Sequence, residues 1–380
     1  MRIGVVCYPT FGGSGVVATE VGMAFAKKGY EIHFITYNPP VRLDLISKGI
    51  HFHQVQIEEY SLFQYQPYEL ALSSKMVQVA EKYQLDILHV HYAIPHAYAA
   101  YMAKQMLAEK GIDIKVVTTL HGTDITLVGS HPTYKTAVEF SINNSDVVTT
   151  VSNSLKEDTF RLFDIKKEIK VVYNFIELEN YVNQSVVGED CQRGNIATED
   201  EYILTHISNY RPVKRAKDVV RVFAKVLEKK KAKLILVGQG PDIISVRNLA
   251  KELGVYDKIL FLGNSTEVNK ILCYSDVFLL PSKSESFGLA ALEAMAAKTP
   301  VISSNTGGLP EVNVHGVTGF LSNVKDVEDM AKNTLKLIEN KEILKKYKLN
   351  AFNRAKDFSI DNVLPKYEEI YKSLVATPIS

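Results

Sequence analysis

The chain has 380 residues, a length that favours two domains of ordinary size over one. Its 44 Lys and Arg against 43 Asp and Glu leave a formal net charge of +1, so no broad field points to nucleic acid or to an acidic membrane. Hydrophobic residues make up 46%, enough for sizeable cores and too evenly spread for disorder, and no apolar run is long enough to span a bilayer.

The N-terminal run Met1-Arg2-Ile3-Gly4-Val5-Val6-Cys7 is too short for a signal segment and is followed by Tyr8-Pro9, so it predicts a first strand over Ile3–Cys7. A Gly-rich stretch and a helix over Val16–Lys28 follow, the helix ending in the basic turn Lys27-Lys28 and a Gly29 stop. Further strands are expected at Ile32–Thr36, Ile87–Val90, Val116–Leu120 and Val147–Val151. Helices are expected between and after them at Leu70–Tyr83, Ala97–Glu109 and Ser152–Phe163. The pattern breaks over Tyr173–Tyr202, which is polar and weakly periodic and predicts a linker followed by a loop or short helix. A second alternating set begins with strands at Ile203–Ile207, Leu234–Val237, Ile259–Leu262, Val277–Leu280 and Val301–Ser303, with helices such as Lys217–Lys229 and Ile243–Leu253. The tail Ile360–Val375 predicts one amphipathic helix. This alternation implies an α/β fold of two doubly wound units with parallel sheets and a cleft between them, and ligands bind such sheets at the carboxyl ends of the strands. The three widely spaced cysteines, Cys7, Cys191 and Cys273, argue against a disulfide framework and a thiolate zinc site. They predict a reduced, cytoplasmic protein with core thiols.

Several strand ends carry chemistry. Phe11-Gly12-Gly13-Ser14-Gly15-Val16-Val17-Ala18 leads from strand to helix and suits an anion or a sugar. It also fits G-x-G-x-x-A, but the second strand ends Thr36-Tyr37-Asn38, with no acid for a ribose; a nicotinamide site and a purely structural turn stay as alternatives. His89-Val90-His91-Tyr92-Ala93-Ile94-Pro95-His96 puts His89 and His91 on one strand face and invites a metal, but no carboxylate follows Asp86 nearby, and Tyr92 lies just past the strand. His121-Gly122-Thr123-Asp124 follows a strand, where loops carry sites. Ser208-Asn209-Tyr210-Arg211-Pro212-Val213-Lys214-Arg215 gathers three cations at a strand end and predicts a diphosphate site, a solvated charge run being the plain alternative. Gly238, in Leu236-Val237-Gly238-Gln239-Gly240-Pro241, could pass backbone groups to a nucleotide or serve as punctuation.

The most informative stretch is Pro281-Ser282-Lys283-Ser284-Glu285-Ser286-Phe287-Gly288-Leu289-Ala290-Ala291-Leu292-Glu293, between a buried strand and an Ala-rich helix. The helix start offers unpaired N–H donors and partial positive charge for phosphate. Glu285 and Glu293 are acceptors for sugar hydroxyls, and a Glu inside an apolar helix needs a partner or a ligand.

Together these landmarks resemble the retaining glycosyltransferases of family 4, which have the two-domain GT-B architecture, over essentially the whole chain. The most specific motif is E-x7-E, met by Glu285 and Glu293. The resemblance implies two Rossmann-like domains facing across a cleft: an acceptor-binding domain over 1–172, a nucleotide-sugar-binding domain over 173–357, and a C-terminal helix over 358–380 that crosses back to the first. It implies that Glu293 holds the ribose of UDP and that Glu285 and His121 contact the donor sugar. The N–H groups around Phe287, Gly288 and Leu289 would face sugar and phosphate. Lys214 matches the family's phosphate-binding lysine. Asn209 stands near the position of a usual Arg, and Arg211 is expected to substitute. Gly12 and Gly13 would let the diphosphate or the acceptor approach.

Cys7-Tyr8-Pro9, the stretch from His89 to Ala97 and the stretch from Thr118 to Thr126 are similar to a branch of that family that begins bacillithiol synthesis. This likeness implies UDP-N-acetylglucosamine as donor and L-malate as acceptor, with Ser14, Tyr92 and Thr119, on strand-end loops, as candidates to hold the malate carboxylates. No cofactor is called for. No Asp-x-Asp occurs, and the basic cluster can neutralise a diphosphate, so metal-independent transfer is expected. A lipid or polymer acceptor, a UDP-sugar epimerase of the same architecture and a non-catalytic nucleotide-sugar-binding module remain as rival readings. A homodimer is left open, and neither nucleic acid nor a membrane is expected as partner.

Overall fold

The computed structural model describes residues 1–10, 13–57, 64–181, 193 and 196–375. The chain divides into two compact units, one formed by Met1–Asn174 with Val363–Ser380 and the other by Phe175–Asn362. The first unit holds a seven-stranded sheet: β1 Arg2–Val6, β2 Glu31–Thr36, β3 Ile50–Gln54, β4 Ile87–His91, β5 Lys115–Leu120, β6 Val147–Thr150 and β7 Ile169–Val171. Their order is β3-β2-β1-β4-β5-β6-β7, and every pair is parallel. Helices α1 Gly13–Lys27, α2 Tyr68–Tyr83, α3 Tyr98–Ala108, α4 Pro132–Asn143 and α5 Asn153–Leu162 cross between the strands.

The second unit holds β8 Tyr202–Ile207, β9 Ala232–Val237, β10 Ile259–Gly263, β11 Val277–Leu280, β12 Val301–Ser304 and β13 Gly319–Ser322, in the parallel order β10-β9-β8-β11-β12-β13. Both sheets are the doubly wound α/β arrangement expected from the alternation. In each, strand order reverses once, between β1 and β4 and between β8 and β11. Crevices form outside the carboxyl ends of the strands at such reversals.

The cores follow from strands buried on both faces. Every residue of β4, β11 and β12 is buried, as covered parallel sheets demand. Val6, Leu88 and Val90 pack against Leu72, Met76 and Ala103 in the first unit; Leu204, Leu234 and Leu279 pack against Val219, Phe223 and Val226 in the second. Each fully buried aliphatic side chain of this kind contributes roughly 1.5–3 kcal/mol.

The C-terminal helix Ile360–Val375 packs on the first sheet. Tyr371 OH lies 2.6 Å from His89 Nδ1, and Glu368 accepts from Lys28 at 2.6 Å and from Tyr30 OH at 3.0 Å.

Three strands escaped the sequence reading. β3 is a sheet edge with half-exposed polar positions, β7 has only three residues, and β13 is a four-residue edge. The helix expected from Val16 begins at Gly13, so Gly13 and Ser14 form its first turn rather than a loop, while Gly12 lies outside the described residues. Cys7 is a free, buried thiol, but Cys273 is disulfide-bonded, against the expectation of reduced core cysteines. Linear spacing reports loop length, not proximity in the folded chain; Cys191 lies outside the described residues. Among the described residues, no helix is long and apolar enough to cross a membrane.

Candidate active site

In the second unit, the loops after β8 and β11 meet at the strand-order reversal. Lys283 N–H donates to Val213 O at 2.7 Å, tying one loop to the other. Next to this tie, Lys214 Nζ donates to Glu285 Oε1 at 2.6 Å, and the Ser282 hydroxyl donates to the same oxygen at 2.8 Å. Both side chains are mostly buried, Lys214 at 23% exposure and Glu285 at 12%. The Glu285 carbonyl accepts the Gly308 N–H at 2.9 Å, which fixes the backbone beneath the carboxylate. A partly shielded ammonium–carboxylate pair can present N–H donors to an anion and a carboxylate oxygen to hydroxyls.

The other cations of the segment separate. Arg211 is exposed and precedes the single turn Pro212–Lys214. Arg215, expected in the diphosphate cluster, instead pairs with the buried Asp218, which also takes Arg221 at 2.7 Å. The local acid three residues on captures that guanidinium, so the cationic cluster reduces to Lys214 and Arg211. Asn209 is exposed on the same loop.

Gly288 has φ of +98° and caps the helix Leu289–Ala296. A Cβ there would meet Leu309 Cδ2 at 2.6 Å, so the sharp entry to the helix requires glycine. Helical geometry leaves the first-turn amides without intrahelical acceptors. Phe287 is buried and edge-on to Phe358 at 5.5 Å, so any ligand meets its backbone rather than its ring. Leu289, Ala290 and Glu293 form the half-buried stripe of a helix whose Ala291, Leu292, Ala294, Met295 and Ala296 are buried. The Glu293 carboxylate therefore shares a face with the first-turn residues.

Gly238 takes a different part from the one expected. Its N–H already donates to Gly263 O at 2.6 Å and is not free for a nucleotide. With φ of +112°, a Cβ there would sit 1.9 Å from Ser208 O. Its role is close packing of the β9 end under the Ser208–Asn209 loop.

In the first unit, the ends of β1 and β4 converge. Ser14 Oγ and Tyr92 OH are 2.7 Å apart, and Tyr8 packs edge-on to Tyr92 at 5.3 Å between ring centroids. Tyr92 adopts φ of +84°, which turns the chain sharply out of β4. Gly13 is exposed beside Ser14 in the first turn of α1.

His121 is buried, its Nε2 2.8 Å from His91 Nδ1 and its N–H donating to Asp124 Oδ1 at 3.2 Å. With Nε2 engaged, Nδ1 is the ring atom left for a ligand. Asp124 also accepts from Gly122 N at 2.9 Å and Ala93 N at 2.8 Å, joining the turns after β4 and β5. Burial pushes the Asp124 carboxyl up to about 6, opposed by those amides, and lowers His121 to about 3, so its imidazole is neutral near pH 7. The sequence alone assigns Asp124 no role, because three amides converging on one buried carboxylate are a tertiary fact.

Thr119 does not lie on a loop. β5 continues through Leu120, and Thr119 is fully buried with its hydroxyl 2.7 Å from His89 Nε2 and 2.7 Å from Thr149 Oγ1. It belongs to the core and, contrary to expectation, offers no hydroxyl to an acceptor. His89 has both ring nitrogens engaged, by Tyr371 and by Thr119, and so offers none to a metal.

Residues 11–180 match the family described as Glycosyltransferase Family 4, and residues 189–354 match Glycosyl transferases group 1. The chain is 47% identical over 376 residues to N-acetyl-alpha-D-glucosaminyl L-malate synthase of Bacillus anthracis, covering 98% of this chain and 96% of that one. It is 28% identical over 399 residues to an uncharacterized glycosyltransferase of Methanocaldococcus jannaschii, with 98% of each covered. Among solved structures it is similar to a glycosyltransferase of Rickettsia africae, with a TM-score of 0.80 at 22% identity and 99% of each chain covered. It is also similar to Anabaena HepE in complex with UDP and glucose, with a TM-score of 0.81 at 18% identity, covering 98% of this chain and 100% of that one.

Proposed function

The chain belongs to glycosyltransferase family 4, and from that premise we propose that it moves N-acetylglucosamine from UDP-N-acetylglucosamine to the hydroxyl of L-malate with retained anomeric configuration, the first step of bacillithiol synthesis. The observation that carries this reading is the 47% identity, over 98% of this chain, to an N-acetyl-alpha-D-glucosaminyl L-malate synthase. The Lys214–Glu285 pair at the strand-order reversal of the second sheet supports it chemically.

In this proposal the second unit takes the donor. Glu293 accepts from the ribose hydroxyls, and Glu285 accepts from the sugar through its oxygen not held by Lys214 and Ser282. Lys214, Arg211 and the amides of Gly288 and Leu289 face the diphosphate. His121 contributes Nδ1 to the sugar. The first unit takes malate, with Gly13, Ser14 and Tyr92 presenting amide and hydroxyl donors to its carboxylates.

The bond from the anomeric carbon to the diphosphate breaks with both electrons leaving on oxygen. Lys214, Arg211 and the fixed amides stabilise that growing charge. The malate hydroxyl bonds to the same face of the anomeric carbon and gives its proton to the departing phosphate. Retaining glycosidases place a carboxylate nucleophile on the opposite face. Glu285 is not given that part, since its likeness to the family's donor-binding carboxylate assigns its free oxygen to the sugar hydroxyls. The proposal places the reaction in the cytoplasm.

Incubation of UDP-N-acetylglucosamine with the full chain, with and without L-malate, tests the reading. Malate-dependent UDP release is expected. Isomerised donor without malate would establish an epimerase instead, and no turnover with malate would leave a binding module.

A further inference from the structure

Histidines collect at the outer edge of the first sheet, away from the strand ends described above. β2 and β3 pair in parallel with His33 opposite His51 and Ile35 opposite His53. Glu31 stands two residues before His33 and shares its face. Glu31 Oε1 lies 3.3 Å from His33 Nε2 and 3.4 Å from His51 Nε2, and all three atoms fall within 4.8 Å of one another.

His33 is fully buried, yet its Nε2 has no hydrogen-bond partner. A buried polar atom left unsatisfied calls for an explanation. Its other nitrogen, Nδ1, lies 2.9 Å from His53 Nε2. A neighbour on one ring nitrogen that fixes the tautomer and aims the other is the usual outer support of a metal-bound histidine. The 3.3 and 3.4 Å separations also fit a tetrahedral ion, whose edge is roughly 3.3 Å when its bonds are about 2.0–2.1 Å.

We propose that Glu31, His33 and His51 form a zinc site on the edge of the first sheet, with water at the fourth position. Two imidazoles and one carboxylate are a ligand set that zinc takes readily. The His33 and His51 rings are stacked at 15°, so binding turns His51, the more accessible ring, to bring its lone pair into line. The opposing charge is Arg2, whose Nε is 3.5 Å from the other Glu31 oxygen. Its Nη1 is held by Tyr83 O and Gln84 Oε1, both at 3.2 Å. Lys75 and Lys82 face His53 and add to that positive surroundings. These cations weaken the attraction for a dication without removing a ligand.

The ion would clamp edge strand β3 to β2. Glu31 and His51 lie near the amino ends of their strands, whereas Ser14, Tyr92 and His121 lie at carboxyl ends, so the clamp is independent of the transfer reaction.

The test is zinc titration of the full chain against a chromophoric chelator, with thermal unfolding read alongside. One equivalent of zinc is expected to bind and to raise the melting temperature. His51→Ala and Glu31→Gln, both at half-exposed side chains, are each expected to weaken binding by at least about tenfold and to abolish the thermal shift, while circular dichroism shows them folded. His131→Ala, at an exposed histidine elsewhere, should change neither. Absence of zinc uptake by the unsubstituted chain, or uptake unaltered in both variants, would overturn the proposal.

Discussion

Lys214 Nζ sits 2.6 Å from Glu285 Oε1 although the two residues are 71 positions apart. The pair is thus neutralised from within, and under the proposed function a diphosphate would have to draw the ammonium away from the carboxylate. The two substitutions at this pair should therefore move nucleotide affinity in opposite directions. Lys214→Ala removes the phosphate partner and bares a carboxylate beside the anion; kcat/KM should fall by roughly 10²–10³, with weaker UDP binding. Glu285→Gln frees the lysine, so UDP should bind as well or better while turnover drops. Calorimetry with UDP beside steady-state kinetics checks both, and parallel losses of UDP affinity would contradict the coupling.

Glu293 is the half-buried carboxylate assigned to the ribose. Replacing it by Gln removes a charged acceptor, an interaction of about 1.5–3 kcal/mol, so UDP affinity should fall by roughly one to two orders of magnitude. Unchanged UDP affinity and turnover in Glu293→Gln would sink the nucleotide assignment.

Tyr92 and Thr119 were both expected to hold malate, and their surroundings now separate them. Tyr92→Phe should raise the KM for malate several-fold, corresponding to a hydrogen bond of about 0.5–1.5 kcal/mol, and leave the donor KM alone. Thr119→Val should leave both KM values alone. It should cost about 1–3 kcal/mol of stability instead, because His89 and Thr149 each lose a buried partner. Initial-rate kinetics and denaturant melts distinguish the two behaviours.

Acid should unfold the protein through its histidines. Burial lowers His89 and His121 to about 3, His96 and His206 to about 4, and His91 well below its ordinary 6.5. A lowered folded-state value means stability that is present above pH 6.5 and is lost as pH falls through the folded values. Asp124 runs the other way. Raised to about 6, it favours the folded state below its ordinary 3.8, and that contribution fades as pH rises through 6. Five histidines outweigh one carboxyl, so unfolding free energy should drop between pH 6.5 and 4, each extra proton adding a slope of about 1.4 kcal/mol per pH unit. Denaturant melts across that range check it, and a flat profile would count against the buried neutral ladder.

Transfer should not need a divalent ion. No Asp-x-Asp is present, and the proposal gives the diphosphate to Lys214, Arg211 and helix-start amides instead. EDTA should leave malate-dependent UDP release unchanged. Activity abolished by the chelator and restored by Mn²⁺ would refute this.

The doubly wound sheets were legible because β4, β11 and β12 are continuous apolar or buried runs between amphipathic helices. β3, β7 and β13 were not, since edge strands are short and half exposed and carry little period-2 signal. The Glu285–Glu293 segment announced itself by a carboxylate in an apolar helix. What no spacing could reveal was the choice of partner. Arg215 goes to Asp218, Gly238 N–H goes to Gly263, and Thr119 faces His89 rather than a ligand. Each of those choices is settled by which strand lies alongside.

Tyr371 closes on His89 across 282 positions of sequence, and this sets an order on biogenesis. At ribosomal speeds of about 5–20 residues per second, the β4 histidine waits on the order of tens of seconds for its phenol. The nascent first sheet must spend that interval with an open flank while the whole intervening unit is synthesised. A chaperone that shields exposed apolar surface has its window then, and stalling translation before Tyr371 should leave the amino-terminal half protease-sensitive even when the later unit resists.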